Sequence, residues 1–258
     1  MHYFPDWSKK VSILLFWLLL WQALTALIGN PILLVGPVDT LKALSEQICS
    51  SSFWRAIWFS FYRIGLGFFL AFFTGLITGS MACALPWFRD LLSPAIQLIK
   101  SIPVASFVIL ALIWTGSENL SVFISFLVVY PVIHISTFSG LSQADNRLLE
   151  MARVFHVPLW KQALHIYRLS LYPYLESGLK TALGMGFKSG IAAEVIGVPD
   201  GSIGEGLYLS KIYLSTAELF AWTLTIILIS TLFEKLILFL WKKAAGYGIQ
   251  IQEEIHGK

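Results

Sequence analysis

Residues 142–172 form a polar island between two apolar runs, and that arrangement excludes most folds open to a soluble chain. The flanking runs, residues 120–141 and 174–198, are each long enough to cross a bilayer, which takes about 20 helical residues. The island carries charge in nearly every turn and is too polar to enter lipid. Its local pattern reads helix, sharp turn, helix. Ser142-Gln-Ala-Asp145 has the form of a capping box, and Asp145 alone can cap a helix that starts at Asn146. Leu148, Leu149, Ala152 and Phe155 then recur at helical spacing, while Arg147, Glu150 and Arg153 point elsewhere. Pro158 suits the first turn of a second short helix running through Ala163 and Ile166.

Composition agrees with a membrane chain. Of 258 residues 57% are hydrophobic and 13% charged, and the mean hydropathy is +0.73. Five or six spans of about 20 residues would use nearly half of that length. The net charge of +3 is small, and the aromatic residues lie within apolar runs rather than beside a basic patch, which argues against nucleic acid as a partner. Cys49 and Cys83 form no disulfide framework. No His/Cys/carboxylate spacing suggests a metal, and no Ser/His/Asp grouping suggests catalysis.

Taken in order, the runs predict six spans near residues 11–28, 57–85, 94–115, 120–141, 174–198 and 219–241. The first lacks a small-residue cleavage site and reads as a retained span rather than a signal peptide. Lys100 and Pro103 in the third predict a kink or break. A short helix is expected over residues 38–49. The chain divides into a first span with its loop (1–50), a core (51–241) holding the island, and a tail (242–258). The fold class is therefore all-α, a membrane protein of about six helices lying in a lipid bilayer.

Basic residues orient it. With the N-terminus inside, the inner segments hold Lys9, Lys10, Arg89, Lys100, Arg147, Arg153, Lys161, Arg168, Lys242, Lys243 and Lys258, against Lys42, Arg55 and Lys211 outside. This count places both termini and the island in the cytoplasm.

Charges inside the spans are the next candidates. An unpaired charge at the bilayer centre costs roughly 2.5–3.5 kcal/mol even on insertion scales. Arg63 and Lys180 lie near span ends and can snorkel. Lys188 and Glu194 lie deeper, and their spacing of six residues puts them on different faces. Structural ion pairing, with Arg63 to Glu194 as one option, competes with a place in a translocation path. Gly75-x-x-x-Gly79 and Gly186-x-x-x-Gly190 predict close helix packing. Two motifs are decoys. Gly184-Met-Gly-Phe-Lys-Ser189 lacks the spacing of a phosphate loop and lies in a span. Asp200-Gly-Ser-Ile-Gly-Glu-Gly206 lacks calcium-ligand spacing and reads as a flexible outer loop.

Glu150-Met-Ala152, His156, Ile166 and Pro173 together resemble the EAA loop of ATP-binding-cassette (ABC) importer permeases. That pattern is Glu-Ala-Ala, three residues, Gly, nine residues, Ile, and shortly after Leu-Pro. Met151 stands for the first Ala, His156 for the Gly, and Pro173 falls a few residues late. His tolerates a left-handed turn better than most non-glycine residues. Further stretches resemble the nitrate/sulfonate/taurine branch: Ser60-Phe-Tyr-Arg-Ile-Gly-Leu-Gly-Phe68, Ser101-Ile-Pro-Val-Ala105, Ala192-Ala-Glu194 and Ile203-Gly-x-Gly-Leu207.

The resemblance implies a permease fold of the type I importer class with a cytoplasmic coupling helix, in the plasma membrane of a prokaryote. It implies a homodimer, two ABC ATPase subunits inside and an extracytoplasmic solute-binding protein outside. ATP and Mg would be bound by the partner ATPase, leaving this chain without a cofactor of its own. Leu149, Ala152 and Phe155 would form a ridge seated in a groove of the ATPase, with Glu150 and Arg153 fixing its register and His156 making the turn. Arg63, Lys188 and Glu194 stand as path or ion-pair residues. The solute would be small, polar and anionic, or a pyrimidine vitamin precursor. The rival class is a non-transporting membrane scaffold or enzyme.

Overall fold

The computed structural model describes residues 6–256, with side chains from Lys9 to Lys243; residues 1–5, 257 and 258, including the Lys258 of the charge count, lie outside it. The order is α1 (Asp6–Ile28), α2 (Pro37–Ile48), α3 (Ser51–Ala84), α4 (Pro86–Ser101), α5 (Val104–Ser142), α6 (Asn146–Val154), α7 (Leu159–Gln162), a π-helical turn (Ala163–Tyr167), α8 (Arg168–Gly197), α9 (Ile203–Ile212) and α10 (Thr216–His256). Four of these are long and apolar enough to cross a membrane, over Lys9–Ile28, Ser51–Ala84, Val104–Ser142 and Thr216–Lys243. The chain is an all-α membrane protein. α8 has the length of a span, but Glu176, Lys180, Lys188 and Glu194 lower its apolar content.

Proline sets several boundaries. Pro37 and Pro86 occupy the first turns of α2 and α4, where a missing N–H costs nothing. Pro103 holds Ile102 extended and stops α4. The run over residues 94–115 is thus not one continuous helix. It ends α4, breaks at Ile102 and resumes in α5. α5 itself changes direction at Gly116, whose φ of 69° and ψ of 170° are non-helical. The first arm of α5, residues 104–115, is about 18 Å long at 1.5 Å per residue, short of a bilayer's hydrocarbon core.

α3, the second arm of α5, and α8 pack side by side, with α10 behind them. Phe68, Phe187, Leu179 and Leu183 are buried between them, and Phe233 of α10 brings its ring to 5.8 Å from Phe68 and 5.9 Å from Phe187. Glycine permits the close approach of α3 to α5. A Cβ on Gly67 would lie 2.3 Å from the Val122 carbonyl oxygen, and Gly75 and Gly79 face Ile133 and Thr137 in the same way. Gly186 and Gly190 of α8 do this against Val129 and Ser125. Both expected glycine pairs are packing surfaces. α1 is held mainly through α2 and Trp21, whose indole N–H donates to the Val35 carbonyl at 3.0 Å, and most of its apolar surface is exposed.

The 200–206 segment is not a flexible loop. It opens α9: the Ser202 hydroxyl accepts from the Glu205 N–H at 2.9 Å, and the Glu205 carboxylate accepts from the Gly201 N–H at 2.5 Å. This is a capping box displaced by one residue, and it orders the helix start.

Candidate docking loop and intramembrane polar site

The island folds as a compact hairpin of helices. Asp145 caps α6 by accepting the Arg147 N–H at 2.8 Å, whereas Ser142 ends α5, so the cap is Asp145 alone. α6 ends at His156, which takes a positive φ of 48°. Val157 N–H donates to the Ala152 carbonyl at 2.8 Å and His156 N–H to the Arg153 carbonyl at 3.1 Å. This pair of bonds is the Schellman arrangement that commonly closes a helix, and His156 holds the left-handed position where glycine is usual. Val157 packs against the small cluster that holds Ala152, the kind of apolar contact that motif favours.

The expected ridge divides between two faces. Ala152 is 2% exposed and packs with Leu149, Val157, Ile166 and Tyr167 inside the hairpin. Phe155 points out, 74% exposed. Leu149 and Ala152 therefore hold the island together, while Leu148, Met151, Val154 and Phe155 present the outward apolar surface, extended by Leu159 and Trp160. Glu150 and Arg153 are exposed beside it. Sequence spacing could not separate the faces, because the second strand of the hairpin decides which one is covered.

That second strand is also longer than expected. α7 passes through the π turn into α8, so residues 159–197 form one helical rod roughly 55–60 Å long at 1.5 Å per residue. Ile166, in the π turn, is buried in one cluster with Ala144 and Ala152. Single π turns tend to occur at functional positions.

At the far end of the rod lies Glu194, with 0% exposure. The Ser60 hydroxyl donates to Glu194 Oε2 at 2.6 Å, and the Ile203 N–H donates to Ser60 Oγ at 3.0 Å. The Gly204 N–H reaches Glu194 Oε2 at 3.4 Å, and a Cβ on Gly204 would lie 2.3 Å from Glu194 Cβ. One buried carboxylate thus joins α3, α8 and the start of α9.

Arg63 does not pair with Glu194. Its Nη2 lies 2.7 Å from Glu118 Oε2, and its guanidinium stacks 4.2 Å over the Phe59 ring. Glu118 follows the Gly116 break, a bend not fixed by the sequence pattern, so this partner escaped the sequence reading. Lys180 pairs with Glu176 at 2.8 Å. Lys188 is exposed and has no ion pair among the described residues. The three candidates therefore separate: Arg63 and Glu194 each find a partner within the fold, although Arg63 Nη1 and Glu194 Oε1 are buried without one, and Lys188 has no ion-pair partner among the described residues. Among the described residues no group of three or more His, Cys, Asp or Glu could hold a metal.

With this geometry in place the comparisons are decisive. Residues 71–243 match the family model of the binding-protein-dependent transport system inner membrane component. The chain belongs to this family. Its matched region contains the island, the rod and α9. A putative aliphatic sulfonates transport permease of Bacillus subtilis is 26% identical over 218 residues, covering 83% of this chain and 78% of that protein. The nitrate import permease of Synechococcus elongatus is 27% identical, covering 72% and 70%. The taurine transport system permease of Escherichia coli is 23% identical, covering 70% and 68%. The chain is an ABC importer permease of the nitrate/sulfonate/taurine type, an inner-membrane, multi-pass translocation subunit rather than an enzyme. As a family member it works with an ATPase and a substrate-binding protein.

Proposed function

We propose that two copies of this chain form the membrane pore of an importer for a small anionic solute. The island sits in the cytoplasm and docks an ATPase subunit on each copy, which binds the ATP and Mg. Both termini are cytoplasmic in this reading, and the solute-binding protein docks outside, near α9. The feature that carries the proposal is the outward apolar face of α6, with Phe155 74% exposed on a helix whose other face is already covered. A helix of that kind fits a groove, where a few buried side chains supply most of the affinity.

The mechanism follows from the rod. Closure of the ATPase dimer displaces the island. Ala152 packed on Ile166 passes that displacement to α7 and α8. The rod transmits it to Glu194, where α3 and α9 are tied to its other end. Small movements at one end of a rigid helix become alternating access at the other.

A cargo bearing an oxyanion group is supported by the relatives, whose names specify sulfonates, nitrate and taurine, the last a zwitterion with a sulfonate end. None of these is a pyrimidine carrier. The test is ATP-driven uptake by proteoliposomes holding the permease, its ATPase and its binding protein. Uptake of nitrate, taurine or an alkylsulfonate that requires all three components is expected. Uptake that proceeds without ATP or without the binding protein contradicts the proposal.

A further inference from the structure

Three cavities lie in a row along the second arm of α5, and each shares residues with the others. The first, about 260 Å³, is lined by Phe107, Ile124, Val128 and Pro131 of α5, Lys100 of α4 and Met185 of α8. The second, an open groove of about 620 Å³, shares Val132 with it and adds the hydroxyls of Ser136, Ser139, Ser177 and Thr181. The third, about 290 Å³, shares Lys100 with the first and Ile135 with the second, and adds Arg89 and His134. No carboxylate lines any of the three.

Lys188 continues this row. It stands three residues beyond Met185, hence on the same face of α8, since residues three and four apart are helix neighbours. It lies about 13 Å of helix from the end of α8, farther than a lysine stem snorkels. A lipid-facing ammonium at that depth, with no ion pair among the described residues, would carry the full insertion cost. The Lys188 face therefore meets water or an anion rather than lipid.

We propose that this α5–α8 face is an anion path, with Lys188 and Lys100, the latter beside His134, as its two cationic stations. The inference rests on the importer reading and adds the residues that select the charge of the cargo. The hydroxyl groove, on the island side of Met185 along α8, offers donors to an oxyanion without fixing its shape. Two facing copies would present two Lys188 ammonium groups to one path.

The test uses the assembled complex in membranes, with Cys49→Ser and Cys83→Ser to remove native thiols and Thr181→Cys as reporter. An anionic and a cationic methanethiosulfonate reagent of similar size are compared. The anionic reagent is expected to react about tenfold faster, the lower end of what a cleft of one charge sign does to local ion concentration. Lys188→Met should lower that preference, Lys188→Met together with Lys100→Met should abolish it, and Lys188→Arg should keep it. No labelling of Thr181→Cys by either reagent, or equal labelling with Lys188 present, overturns the proposal. Capture of the ATPase is scored separately in the same samples. Charge preference without ATPase capture would sink the proposed docking role of the island and leave the anion path standing.

Discussion

Ser60 donates its hydroxyl to Glu194 at 2.6 Å across 134 positions of sequence and accepts the Ile203 N–H at 3.0 Å. Both groups are fully buried, so a lost partner is not simply replaced by bulk water. Ser60→Ala strands the Ile203 N–H and removes the strongest donor to the carboxylate. A buried group left unsatisfied typically costs about 1–3 kcal/mol. Thermal unfolding of the purified protein in detergent should show a loss of that order. An unchanged melting temperature would mean that α9 is held by other contacts.

Two glycines of α3 give a controlled comparison. A Cβ on Gly67 meets the Val122 carbonyl oxygen at 2.3 Å, whereas on Gly65 the nearest atom, from the Phe233 ring, is at 3.9 Å. Gly67→Ala must push α3 away from α5, and overpacking of this kind costs about 1–3 kcal/mol. Gly65→Ala meets an ordinary contact and gains helix propensity. Folded yield and melting temperature should fall for the first substitution and hold or rise for the second.

His156 holds a left-handed conformation, which costs a non-glycine residue roughly 1–2 kcal/mol. His156→Gly should therefore fold at least as well as the wild type and keep its ATPase. His156→Val, a β-branched residue at φ 48°, should weaken the turn. Protease sensitivity of the island, read by limited proteolysis, would rank the three. A ranking with Gly worst would show that the imidazole makes a contact the turn depends on.

The helices and their caps were readable because they depend on local chemistry. Asp145, Pro37, Pro86 and Pro103 each act within a turn or two, and the sequence pattern located them. What escaped depends on where distant segments meet. Glu118 became the partner of Arg63 through the bend at Gly116. The buried side of α6 was decided by Ile166, on the returning strand of the hairpin. The Ser202/Glu205 cap was available in the sequence as Ser-x-x-Glu, yet the glycines around it suggested a loop. Long-range pairing leaves no periodic trace, and that is why Arg63 and Glu194 looked like mutual partners.

The basic-residue count predicts a cytoplasmic island. Gln143 is exposed at the end of α5. Gln143→Cys, in the background lacking Cys49 and Cys83, should resist an impermeant thiol reagent added to intact cells and react after permeabilisation. Labelling of intact cells would invert the orientation.

The outward face of α6 is the proposed link between the ATPase and transport. Phe155→Asp places a charge on that face while leaving the Ala152–Ile166 packing intact. Ala152→Asp instead buries a charge within the hairpin and should destabilise the loop itself. The deciding measurement is capture of the ATPase by purified Phe155→Asp permease, with solute uptake scored in the same cells. The expected result is a normally inserted chain with wild-type thermal stability that neither holds its ATPase nor transports. Wild-type capture together with wild-type uptake would contradict the account.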